Sequence, residues 1–194
     1  MKPKPFDHNA RYHDVLLAGA PPRVDRALDV GCGNGYLLAR LAQIADAAVG
    51  IDVDTASLER ARRNASAPNV ELVQGDVLTA PLPARSFDLV TSVAMLHHVD
   101  ARAALTRMKE LVRPGGRLAV LGLARSTASD LPWDALGSVR ARVGRREVAP
   151  EPSAPLVWPP PETYVSMRAL VRELLPGGRY RRHTGFRYSV VWTA

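Results

Sequence analysis

The residues of this chain best suited to chemistry are a glycine-rich run and two carboxylates. Asp29-Val30-Gly31-Cys32-Gly33-Asn34-Gly35 follows a short apolar run and opens a helical pattern. Glycines there let the backbone turn tightly and approach a ligand with no Cβ in the way. The start of the helix behind them offers N–H groups to a negatively charged group. Asp52 stands 21 residues after Gly31 and ends a second apolar run, where a carboxylate can accept from ribose hydroxyls. Asp76, in Gln74-Gly75-Asp76-Val77, ends a third and can accept from an adenine amino group. Together they describe a place for an adenosine-bearing ligand along strand carboxyl ends. His97 and His98 follow a fourth run, and a histidine can take a proton near neutrality. Packing competes as a role for each. Cys32 reads as a small buried filler, because nothing nearby supplies a base.

These residues need elements to hold them, and the hydrophobic periodicity supplies an alternation. Strand patterns fall at Ala27–Val30, Ala48–Asp52, Val70–Val73, Phe87–Val93 and Arg117–Leu123. Helical patterns lie between them. One runs from Tyr36 to Asp46 with Leu37, Leu38, Leu41, Ala42 and Ala45 on one face, and one from Thr55, read as the N-cap, to about Ser66. A third carries Leu105, Met108, Leu111 and Val112, stopped by the turn Arg113-Pro114-Gly115-Gly116. Strands and helices alternating in this way imply a parallel sheet with helices on both faces. Beyond it the pattern breaks. Residues 124–149 suit one irregular basic helix, and the six prolines between Pro150 and Pro161 oppose regular structure. A helix starting at Pro161-Glu162 buries Met167, Leu170, Val171 and Leu174, and Arg179–His183 with Phe186–Trp192 form a closing antiparallel hairpin. At the other end, Asp7–Ala18 suits a helix with Val15 and Leu16 buried.

The spacing Gly31-x-Gly33-x-Gly35 differs from a dinucleotide fingerprint, which wants a small residue where Tyr36 stands. At this point the chain resembles the class I S-adenosylmethionine-dependent methyltransferases, in particular the small-molecule branch that includes ubiquinone and menaquinone methyltransferases. The resemblance rests on Leu28–Gly35, Gly50-Ile51-Asp52, Gln74-Gly75-Asp76, Phe87–Val90 with Leu96-His97-His98, and Arg113–Gly116, in order over residues 24–123. It implies a Rossmann-like, mostly parallel seven-stranded sheet of order 3-2-1-4-5-7-6 with helices on both faces and an antiparallel C-terminal hairpin. It implies one methyltransferase domain over 1–194: a helical cap (1–23), the cofactor core (24–123), an insertion (124–165), and a final helix with the hairpin (166–194). Segments 1–20 and 124–165 are expected to form a lid over the acceptor.

The resemblance also implies roles. Gly31, Gly33 and Gly35 would pass beneath the methionine moiety of S-adenosylmethionine, with backbone contacts from Cys32 and Asn34. Asp52 would bind the ribose hydroxyls and Val53 would pack on the adenine. Asp76 would face the adenine amino group, with Val77 beside the ring. Val93 would lie near the cofactor, and Asp29 would orient the glycine loop or the sulfonium side. His97 is taken as the inward-facing base. Because the donor sulfonium already activates its methyl group, the protein's task is to align an acceptor at roughly 3–3.5 Å and exclude water. No Cys, His or carboxylate cluster has metal-ligand spacing, so no metal is expected.

Composition narrows the partners. Residues 98–194 carry 16 Lys+Arg against 8 Asp+Glu, and residues 1–97 carry 10 against 11, which makes up the +7 total. The excess is arginine, 23 to 3 over lysine, and it is scattered rather than clustered. Nucleic acid is therefore disfavoured as a partner, and the resemblance implies a small-molecule methyl acceptor. No run approaches about 18 apolar residues, so no membrane span is expected. The start of the chain lacks a signal-peptide core, and the single Cys32 suits a reducing compartment, so the expected location is cytoplasmic. Three competing readings stay open: an RNA or protein methyltransferase, a nicotinamide-dependent oxidoreductase, and a non-catalytic adenosyl-binding module.

Overall fold

The computed structural model describes residue 9, residues 12–127, residue 130 and residues 157–194. Seven strands form one sheet: β1 (Val24–Val30), β2 (Ala45–Asp52), β3 (Val70–Gln74), β4 (Phe87–Val93), β5 (Val112–Leu123), β6 (Arg179–Arg182) and β7 (Arg187–Thr193). Their order is β3-β2-β1-β4-β5-β7-β6, as the resemblance implies. The first five strands pair in parallel, and β7 is antiparallel to both β5 and β6. The helices are α1 (His13–Leu17), α2 (Tyr36–Leu41), α3 (Thr55–Asn64), α4 (Ala101–Leu111) and α5 (Tyr164–Leu174).

Alternate strand residues serve opposite faces, as the pleat requires. Leu28, Val90, Leu118 and Val120 join α4 and α5 through Leu105, Met108, Met167 and Val171. Their neighbours Ala27, Leu89, Ala119 and Leu121 join α1 and α2 through Leu16, Leu37, Leu38 and Leu41. The strand order reverses between β1 and β4, both covered on two faces. Ligands of open α/β sheets bind at such a reversal, outside the strand carboxyl ends.

Several local expectations are corrected. The helix expected to reach Asp46 stops at Leu41, and β2 begins at Ala45, paired with Val24. The alanine-rich stretch carries no period, so pairing with β1 decides it. The cap of α3 is Asp54 rather than Thr55, its Oδ2 accepting from the Ser57 N–H at 2.9 Å. Val112 leaves the helix and starts β5. Phe87 then pairs with Val112 and Leu89 with Arg117, so the expected turn Arg113–Gly116 is a bulge inside the strand. The last helix starts after Thr163, whose hydroxyl and Ser166 cap each other. Of the expected N-terminal helix, His13–Leu17 is helical, with Leu16 buried and Val15 half-buried. The irregular helix in 124–149, most of the proline segment, and most of the lid lie outside the described residues.

Candidate functional site

The glycine run leaves β1 as a tight loop held from two sides. The N–H groups of Gly31 and Cys32 both donate to the Ile51 carbonyl, at 2.8 and 3.1 Å, which ties the loop to β2. From α3, Arg60 Nε donates to Asn34 Oδ1 at 2.6 Å and Asn64 Nδ2 donates to the Asn34 carbonyl at 2.8 Å. Two glycines show different reasons for being glycine. Gly35 has φ +79°, and a Cβ there would stand 2.9 Å from Cα of Ala61, so α3 packs against it. Gly33 has φ +51°, yet a Cβ there would meet nothing of the chain within 4 Å. The open side of the loop is at Gly33.

Asp52 faces that opening. Its Oδ2 accepts from the Gly33 N–H at 2.8 Å and its Oδ1 from the Asp54 N–H at 2.9 Å. Each oxygen is thus oriented and keeps a lone pair for a further donor. Beside it Val53, an apolar side chain, is 66% exposed. Asp76 is exposed, with Oδ1 accepting from the Leu78 N–H at 2.9 Å, while Val77 next to it is buried. Oriented carboxylate, open glycine and bare valine fit a nucleoside: hydroxyl donors on Asp52, a planar ring over Val53.

Two side chains of the loop segment are buried. Asp29 is 2% exposed and its Oδ1 accepts from Thr91 Oγ1 at 2.8 Å. Burial pushes its pKa up to about 7, opposed by that hydrogen bond and reinforced by the Asp52 charge. Cys32 is buried, and burial, with the charges of Asp29 and Asp52, pushes its thiol up. It stays a thiol, in keeping with a filler.

At the end of β4, Val93 is half-buried and Ala94 takes φ +53° while donating to the Leu121 carbonyl at 2.7 Å. This sharp turn brings Met95 onto the glycine loop, where a Cβ on Gly31 would lie 2.6 Å from Met95 Cγ. A 3₁₀ turn, Leu96–His98, follows. His97, expected to face inward to the crevice, is buried, and its Nδ1 has no hydrogen-bond partner. Burial, then the neighbouring His98, push its pKa down to about 4, so the ring is neutral at physiological pH. His98 is exposed, its ring centroid 3.9 Å from that of His97. Ala94, Met95, Arg60 and Asn64 were not anticipated. Only the shared helix face of Arg60 and Asn64, four residues apart, could have signalled a clamp.

Comparison with known proteins shows the family. The profile of a methyltransferase domain matches residues 28–120. An uncharacterized methyltransferase of Mycobacterium tuberculosis is 40% identical over 194 residues, covering 98% of each chain. The chain belongs to the class I S-adenosylmethionine-dependent methyltransferases. It is an enzyme, and the reaction type is methyl transfer. Over 117 residues the methyltransferase is also 38% identical to the 27-O-demethylrifamycin SV methyltransferase of Amycolatopsis mediterranei, covering 57% of this chain and 43% of that one. The crystal structure of a SAM-dependent methyltransferase from Aquifex aeolicus shares the fold, with TM-score 0.63 and 18% identity over 96% of this chain and 93% of that one. Among the described residues, no group of three or more His, Cys, Asp or Glu could hold a metal ion. No described helix of the methyltransferase is long and apolar enough to cross a membrane.

Proposed function

We propose that this enzyme transfers the methyl group of S-adenosylmethionine to a small-molecule acceptor seated over the carboxyl ends of β4 and β5. The observation that carries the donor half is Asp52, bonded to the Gly33 N–H with lone pairs to spare beside exposed Val53. The bound donor supplies an electrophilic methyl carbon on a positively charged sulfur. The chain's own residues do the rest. Gly31, Gly33 and Gly35, with the backbone of Cys32 and Asn34, make the floor for the methionine part. Asp52 holds the ribose hydroxyls and Val53 meets one face of the adenine. Asp76 and Val77 border the ring, and Val93 borders the methyl-donor end. Asp29, through Thr91, braces the start of the loop from below.

The acceptor half is supported by the relative that acts on 27-O-demethylrifamycin SV, and by the engagement of several described arginines within the chain. Among the described arginines, Arg23, Arg40, Arg60, Arg102, Arg107, Arg113 and Arg182 form ion pairs within the chain. The test is to incubate the enzyme with methyl-labelled S-adenosylmethionine and either a metabolite extract, total RNA, or unfolded and folded protein. Label in the low-molecular-mass fraction alone is the expected result. Label in RNA or protein instead would replace the small-molecule reading.

A further inference from the structure

Two adjacent histidines stand at the end of β4, and the fold treats them differently. The 3₁₀ turn that carries them is held at three points. Met95 packs on Gly31 of the glycine loop. The His98 N–H donates to the Met95 carbonyl at 2.9 Å. Leu96 is buried in the core with α4 and β5. This anchoring leaves His97 only 8% exposed and His98 exposed at the end of β4. His98 also lies within electrostatic reach of Asp52, across the end of β1, whereas His97 has no such partner.

We infer that His98, rather than His97, faces the methyl-donor end of the site and takes the proton of a hydroxyl or amine acceptor. The inference rests on the methyl-transfer reading above. In that step a lone pair of the acceptor oxygen or nitrogen forms the bond to the methyl carbon. The carbon–sulfur bond breaks and its electron pair leaves with sulfur as a neutral thioether. The acceptor's proton passes to a ring nitrogen of His98 and then to solvent. His97 is a poor candidate for this, because its Nδ1 is sealed from solvent and its ring resists protonation.

The groups around His98 allow the assignment to be tested without knowing the acceptor. Partial burial disfavours the charged ring and holds its pKa below the ordinary histidine value, Asp52 on β2 opposes that, and the His97 ring lies tilted against it from the same turn. Asp100, two residues on, caps α4, its Oδ1 accepting from the Ala103 N–H at 2.8 Å. A positive charge placed at the methyl-donor position must therefore lower the His98 pKa, while an otherwise similar neutral ligand must not. The experiment is a proton–carbon NMR titration of the full chain, the His98 signal being assigned from His98→Gln. One sample is saturated with S-adenosylhomocysteine, whose sulfur is neutral. The other holds sinefungin, whose amine puts a positive charge at the same position. The His98 pKa is expected to be at least about half a unit lower with sinefungin. Equal values in the two complexes overturn the inference. Failure of both ligands to bind would instead overturn the methyl-transfer reading. On a hydroxyl acceptor found in the label screen, His98→Gln should lower kcat by roughly 10²-fold with unchanged S-adenosylhomocysteine affinity. Wild-type turnover by that variant overturns the proton-accepting role.

Discussion

Asp29 near the end of β1 and His97 just after β4 are both buried, and burial moves their pKa values in opposite directions. Asp29, ordinarily near 3.8, is raised to about 7, so from about pH 4 to 7 the folded state holds a proton that the unfolded chain has released. Stability from this group therefore falls as pH rises through that window. His97, ordinarily near 6.5, is lowered to about 4, so between those values the unfolded chain holds the extra proton. Its contribution falls as pH drops. The two slopes oppose each other, and the wild-type urea midpoint should change little between about pH 5 and 6.5. Asp29→Asn should expose the histidine slope, with stability lost on acidification. His97→Gln should expose the aspartate slope, with stability gained on acidification. Urea midpoints across that range check both signs, and parallel curves for the two variants would contradict the burial argument. Neither effect is legible in the sequence, because adjacent residues such as His97 and His98 differ only through what they pack against.

At the scale of elements, the glycine loop was readable and its neighbours were not. Spacing alone placed Gly31, Gly33 and Gly35 after a strand, with Asp52 and Asp76 at the ends of the next two. It did not say which glycine serves the fold and which serves a ligand. The contacts separate them. Gly35→Ala would put a Cβ against the backbone of Ala61 at φ +79°, and should cost about 2–4 kcal/mol of stability. Gly33→Ala meets nothing, so it should cost only the left-handed backbone penalty of about 1–2 kcal/mol. Its main effect should be at least about 10-fold weaker S-adenosylhomocysteine binding. Thermal melts and calorimetry on both variants check the contrast; a larger stability loss at Gly33 than at Gly35 would contradict it. The misjudged boundaries share one cause. The end of α2, the start of β2 and the bulge at 113–116 are set by strand pairing across the sheet. Local pattern in residues 42–48 and 112–116 does not encode that pairing.

The whole molecule combines a net charge of +7 with a site whose described surroundings are carboxylates and backbone rather than free arginines. Non-specific RNA binding should thus be weak and strongly salt-dependent, and RNA should not compete for the donor site. Adding total RNA at about 0.15 M salt is expected to leave the S-adenosylhomocysteine affinity unchanged; competition would favour a nucleic-acid acceptor. The strand order followed from the family resemblance, whereas period and turn residues alone reached a parallel sheet covered by helices and the closing hairpin. The proposed donor site depends most directly on Asp52 as its ribose-binding carboxylate. Calorimetry of S-adenosylhomocysteine with the wild-type chain and Asp52→Ala tests it. Two charge-assisted hydrogen bonds, each worth roughly 1.5–3 kcal/mol, are removed, and at least about 10-fold weaker binding by a folded variant is predicted. No binding to the wild type, or equal binding by both, would contradict the account.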